Sequence, residues 1–130
     1  MTPELTLTIP DALWLTSNQR LPRPVVWKRT AGIRELAATA ARAANLPHMT
    51  QVHIGIAVGY PTRVRADAPN AWPSAKAAID GIVDSGVLAD DNSEIVWCHS
   101  FMRASTKCPR GVHTLRFIFT DQRLPWMGDA

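Results

Sequence analysis

The chain is short of cysteine and tyrosine and has no long apolar run, and each shortage excludes something. Two cysteines, Cys98 and Cys108, are too few for a disulfide scaffold, so a reduced, cytoplasmic setting is the plain expectation. No apolar run approaches the ~18 residues that cross a bilayer, so no membrane partner is expected. Met1-Thr2-Pro3-Glu4 carries no basic leader ahead of an apolar stretch, so no signal peptide is read. There is no glycine-rich phosphate loop and no nucleophile elbow, and no small-molecule cofactor is expected. Cys98, His99, Cys108 and His113 match no compact zinc spacing, and Cys98 and His99 would leave a strand on opposite faces. His48 and His53 stand alone, without a catalytic constellation around them.

What is present is one domain's worth of chain: 130 residues, 46% hydrophobic and 19% charged, enough for a single packed core. The net charge of +3 hides an uneven distribution. Between Asp67 and Glu94 there are six acids and one base, Lys76, which makes −5; the remainder sets thirteen bases against five acids, +8. A basic body around an acidic island suits a metal-dependent nuclease. The positive surface gathers phosphate backbone, and the carboxylates hold a cation where the bond breaks.

Leu5-Thr6-Leu7-Thr8-Ile9 alternates as a half-buried strand. Pro10 to Arg29 is rich in turn formers and bases, and between Asp11 and Glu35 no acid interrupts it. It reads as an exposed basic loop, with Trp14 and Trp27 either folded onto the core or free to stack on bases. Ile33, Ala37, Ala40 and Ala44 then recur at helical spacing, with Thr30 as N-cap and Asn45-Leu46-Pro47 as the stop. From Val52 to Val58 apolar residues alternate with small ones, predicting a strand whose small-residue face a helix could approach closely. Pro73 suits the first turn of a second helix whose buried stripe is Ala75, Ala78, Ile79, Ile82 and Val83, closed by Gly86. Two more strands are expected, about Glu94–Cys98 and Val112–Thr120, joined by a basic loop with Arg103, Lys107 and Arg110. The order βαβαββ predicts an α/β (α+β) domain over 1–125, a mixed sheet with two main helices, followed by a loose tail at 126–130.

Lys76, Asp80 and Asp84 lie four apart and so share one face of the second helix. Their order opposes the helix dipole, with the cation near the N-terminus and the anions toward the C-terminus. A helix chosen for stability alone would favour the reverse, so the order points to a task for these side chains. Asp67 precedes the helix and Asp90-Asp91 follow it. A helix of about 13 residues is ~20 Å long, so the two ends converge in one subunit only if the chain after Gly86 runs back alongside it; otherwise they meet across a dimer.

The run Asp67-Ala68-Pro69-Asn70, followed by Lys76 to Asp80 and by Gly86 to Asp91, resembles the RusA family of Holliday-junction resolvases. That family's signature is an Asp-x-Asp-Asn turn, a helix with Lys-Ala-x-x-Asp, then Gly and an Asp-Asp pair. Ser17-Asn18-Gln19-Arg20 after the first strand resembles its N-terminal motif. The resemblance follows the element order over most of the chain, and variants with this spacing are common among phage and prophage members. Position by position it implies that Asp67 and Asp91 bind metal, that Asn70 is the turn asparagine and that Lys76 is the active-site lysine. Pro69 replaces the second aspartate of the turn, and three extra residues separate Asn70 from Lys76. Asp90, Asp80 or the Asn70 carbonyl would then complete the metal shell.

The resemblance further implies a homodimer that nicks four-way or branched DNA symmetrically with Mg²⁺ or Mn²⁺, in a bacterial or phage-infected cytoplasm. Asp67, Lys76 and Asp91 would be catalytic. Asn18, Arg20, Arg23, Lys28, Arg29, Arg65, Asn70, Arg103, Lys107 and Arg110 would hold the DNA. The rival expectations are a branched-DNA-binding protein without chemistry, and a nuclease for other branched or flapped DNA.

Overall fold

Alternation in the first strand survives into three dimensions: β1 (Glu4–Pro10) buries Leu5, Leu7 and Ile9 and exposes the residues between them. The structure is a computed structural model that describes residues 2–123 and 125–127, with Met127 described for its backbone only. The loose tail expected at 126–130 therefore lies largely outside the described residues. After β1 come α1 (Arg23–Ala43), β2 (Val52–Gly59), α2 (Trp72–Asp84), β3 (Val96–Arg103) and β4 (Val112–Thr120). This is the βαβαββ order expected, in an α+β fold with a mixed four-stranded sheet.

The sheet runs β1-β4-β2-β3. β4 pairs antiparallel with both β1 and β2, while β2 and β3 are parallel and joined through α2. One face carries the core. Ile54, Ile56 and Val58 of β2 join Leu115, Phe117 and Phe119 of β4, covered by Ile33, Ala37 and Ala41 of α1 and by Ala75, Ala78, Ile79 and Ile82 of α2. The helices touch closely at Gly81, where a Cβ would overlap the Arg34 carbonyl oxygen of α1. Burial of these aliphatic and aromatic side chains drives the assembly, at ~25 cal/mol per Å² of apolar surface removed from water.

Three local expectations are corrected. The first helix begins at Arg23 rather than Thr30, because Pro24 opens its first turn. Thr30 is interior, its hydroxyl donating to the Val26 carbonyl one turn back at 2.7 Å. The stretch read as a basic loop to Arg29 is thus helical from Arg23 on. β3 runs to Arg103, well past Cys98, because its residues find partners along β2. The small-residue face of β2 does not receive a helix: a Cβ on Gly55 would meet Ile118 and Ser100 of the flanking strands.

Candidate active site and nucleic-acid surface

The acidic island resolves into two places. The first lies on the α2 face that turns toward β3. Trp72, Lys76 and Asp80 follow one another at one-turn spacing, and Trp72 meets the rings of His99 and Phe101 edge-on, with centroids 5.1 and 6.1 Å away. The Lys76 ammonium donates to Asp80 Oδ1 at 2.5 Å and to Asp91 Oδ2 at 2.7 Å. The chain after Gly86, whose φ of +88° suits a residue without Cβ, therefore does run back along the helix. The return path brings Asp91 to Lys76 and Asp80, while Asp67, from the other end of the helix, lines a hollow to which Asp91 does not contribute. Asp84 does not share it; its carboxylate forms a two-pronged pair with Arg34 of α1, at 2.6 and 2.8 Å.

Neighbouring groups fix the loop that presents Asp91. Asp90 Oδ1 accepts the Asp91 backbone N–H at 2.7 Å, and Asp90 Oδ2 accepts from Asn92 Nδ2 at 3.3 Å. Asn92 Oδ1 in turn caps the backbone of Glu94 and Ile95. Asp90, expected as a metal ligand, is thus engaged in shaping its own turn. Charge states follow from these contacts. Burial works against the Lys76 ammonium, but its hydrogen bonds to Asp80 and Asp91 outweigh it and hold its pKa above the ordinary value. The hydrogen bond from Lys76 keeps the Asp91 carboxyl below the usual range. His99 is pushed down by burial first, and further by the neighbouring His53 and Lys76, against the pull of Asp91. Its Nε2 is buried without a hydrogen-bond partner among the described residues.

Asp67 belongs to the second place. It precedes a short 3-10 turn, Ala68–Ala71, and its backbone carbonyl accepts the Asn70 N–H at 2.9 Å. The loop after β1 docks here. Ser17 N–H donates to the Asn70 carbonyl at 2.9 Å, and the buried Ser74 hydroxyl bonds both the N–H and the carbonyl of Leu15 at 2.8 Å. Thr16, Asn18, Tyr60, Arg65, Asp67 and Asn70 consequently line one hollow of about 340 Å³. Two of the segments that carry the family resemblance, around Asn18 and around Asp67, are brought together in space.

Asp67 has no ion-pair or side-chain hydrogen-bond partner among the described residues, and no three His, Cys, Asp or Glu side chains there gather as a metal-holding group. Two carboxylate oxygens, from Asp80 and Asp91, do converge on a single point, now taken by the Lys76 ammonium. Hard oxygen donors of this kind suit Mg²⁺, which keeps several waters and takes as few as one or two protein carboxylates. A cation there would share or displace the ammonium.

The expected DNA contacts divide in the same way. Arg20, Arg23, Lys28, Arg65, Lys107 and Arg110 are exposed. Trp27, 64% exposed, lies among the first three of them, whereas Trp14 is buried against the stacked ring of His113. Two of the expected contacts serve the fold. Arg29 donates to the Trp14 carbonyl, and Arg103 donates to the carbonyls of Thr62 and Val64 while its guanidinium sits 4.8 Å over the Tyr60 ring. Tyr60, Arg63, Trp72 and His99 were missed from sequence. The spacing of Trp72 from Lys76 was a usable signal; that of His99, on another element, was not. No helix among the described residues is long and apolar enough to cross a membrane. No family model matches the chain, and no curated protein gives a significant match.

Proposed function

We propose that this chain is a metal-dependent, structure-selective endodeoxyribonuclease of the RusA kind, which resolves four-way DNA junctions as a cytoplasmic homodimer. The observation that carries the reading is the Lys76 ammonium held between Asp80 and Asp91. A lysine and two carboxylates at one point, within a chain otherwise rich in exposed arginine and lysine, form a set suited to phosphodiester chemistry.

Asp80 and Asp91 would hold Mg²⁺ or Mn²⁺, with Asp67 as the further carboxylate that the resemblance implies. When bound, the ion supplies polarisation of the scissile phosphate and a water more easily deprotonated. Lys76 brings a fixed positive charge toward the oxygens on which charge builds in the transition state. Asp90 and Asn92 hold the Asp91 loop in place. Exposed arginines and lysines bind phosphates without reading sequence, so affinity falls steeply with salt. A junction has approximate two-fold symmetry, and a two-fold dimer offers one site to each of two strands.

Cleavage of a synthetic four-way junction with Mg²⁺ or Mn²⁺, set against EDTA, tests the reading. Paired symmetric nicks that need the metal support it. Pro69, in place of a carboxylate, favours a second reading, a junction-binding protein without chemistry; tight binding with no nicks under either metal selects that one. Preferential cutting of a flap over a junction selects a nuclease for other branched DNA.

A further inference from the structure

A hollow of about 550 Å³ opens at the end of the sheet where β2 and β3 finish, lined by the Tyr60 ring and by three cations, Arg63, Arg103 and Lys107. The hydroxyls of Thr62, Ser105 and Thr106 complete its polar wall, and no carboxylate lines it. Arg103 is pinned by its two backbone carbonyls and by the Tyr60 ring, so its charge is fixed in place. Arg63 and Lys107 make no ion pair among the described residues. A recess holding three positive charges and three hydroxyl donors, with no negative group, selects an anion. It offers far more room than a lone phosphate needs. Tyr60 also lines the neighbouring hollow that contains Asp67, Asn18 and Asn70, so the two hollows adjoin at this residue.

We infer that the hollow formed by Tyr60, Arg63, Arg103 and Lys107 is a seat for the phosphodiester backbone of a nucleic-acid strand, placed to feed that strand past Asp67. The inference rests on the DNA-binding part of the proposed function and not on cleavage. Arg103 sets the floor of the seat, and Arg63 and Lys107 close on the phosphate from exposed positions. A 5′-terminal phosphate offers similar chemistry, and the test separates the two sources.

The experiment measures junction affinity against salt concentration for the full chain, for the double variant Arg63→Ala/Lys107→Ala, and for Arg34→Ala/Arg42→Ala, which removes equal charge from α1, away from the hollow. Removing one cation that binds a phosphate flattens the plot of log affinity against log salt by about 1. The seat predicts a slope shallower by about 2 for the first double variant and near wild type for the second. A second arm repeats the titrations with 5′-hydroxyl and 5′-phosphorylated strands. Equal weakening on both supports a backbone seat, while weakening confined to the phosphorylated strand overturns it in favour of an end-binding pocket. An unchanged slope in Arg63→Ala/Lys107→Ala, or equal flattening in both double variants, also overturns the seat and leaves the nuclease reading standing. Normal binding without nicks removes the nuclease reading and leaves the seat; a wild-type chain that binds no DNA removes both.

Discussion

Asp91 Oδ2 lies 2.7 Å from Lys76 Nζ although fifteen positions separate them, and the same ammonium reaches Asp80 one helical turn along. The three groups are partly exposed, with side-chain accessibilities of 43% for Lys76, 28% for Asp80 and 25% for Asp91. Solvent therefore screens them, and together the two pairs contribute about 1 kcal/mol. Lys76→Met leaves two carboxylates facing each other without a counter-charge. Near pH 7 this variant is expected to unfold about 1 kcal/mol more easily and to nick junctions poorly. Because Lys76 holds the folded-state pKa of Asp91 below its unfolded value, that stabilisation is present above about pH 4 and is lost as pH falls through the folded value. Urea melts at pH 7 and pH 3 check this; a gap between variant and wild type that is as wide at pH 3 would refute the electrostatic account.

Asp80 and Asp67 make opposite bets on where the chemistry occurs. If the ion is held at the Lys76 point, Asp80→Asn and Asp91→Asn each lower the nicking rate by at least about 100-fold, a few kcal/mol of transition-state stabilisation. Junction affinity, measured by gel shift, changes little. Asp67→Asn is expected to have the same effect if its hollow joins the site once DNA is bound. Full activity in Asp67→Asn with loss in Asp80→Asn would move the centre wholly to the α2 face. Full activity in both Asp80→Asn and Asp91→Asn would remove that face from the chemistry.

Local patterns carried most of the fold. The alternation in β1, the apolar stripe of α2 and Gly86 at its end are local signals that stand as read, whereas β2 forms where expected but is buried on both faces. The start of α1 was hidden because Pro22 and Pro24 read as loop residues, while a proline in the first helical turn is well tolerated. The length of β3 was hidden because Cys98 to Arg103 mixes polar and apolar residues, and only its pairing with β2 reveals a strand. The same divide governs the site. Lys76 and Asp80 were legible from their spacing on one helix. The return of Asp91 to that pair, the turn of Asp84 toward Arg34 and the approach of His99 all depend on tertiary packing, which spacing along the chain does not encode.

His99 makes the stability of the fold sensitive to mild acid. In the unfolded chain its pKa is near 6.5; in the fold, burial, with His53 and the Lys76 ammonium nearby, pushes it lower. The unfolded state therefore binds more protons below about pH 6.5, and stability falls as pH drops from there toward the folded value. His99→Phe keeps the ring against Trp72 and removes the titrating group. The difference in unfolding free energy between the two proteins should shift in favour of the variant between pH 7.5 and 5.5. Since the chain's other histidines are unchanged, parallel pH profiles would mean that His99 stays free to protonate in the fold.

Gly81 and Gly32 both sit in helices, and a methyl group should have opposite effects at the two. In a helix interior, replacing glycine by alanine favours the fold by up to about 1 kcal/mol through backbone entropy. At Gly32 the added Cβ would meet Leu13 Cδ2 at 2.9 Å, the end of a side chain that can turn aside. Gly32→Ala is therefore expected to be neutral or slightly stabilising. At Gly81 the Cβ would overlap the Arg34 carbonyl oxygen and come within 2.9 Å of Ala37 Cβ and 3.0 Å of Ala38 N. These belong to the backbone and the short side chain of α1, which move only if the two helices separate. Overpacking of that kind costs about 3 kcal/mol and exceeds the entropic gain, so Gly81→Ala should lose about 2 kcal/mol net. Thermal melts read this as a drop of roughly 5–10 °C for Gly81→Ala and no drop for Gly32→Ala. Equal melting temperatures for the two variants would mean that α1 and α2 do not pack backbone to backbone at Gly81.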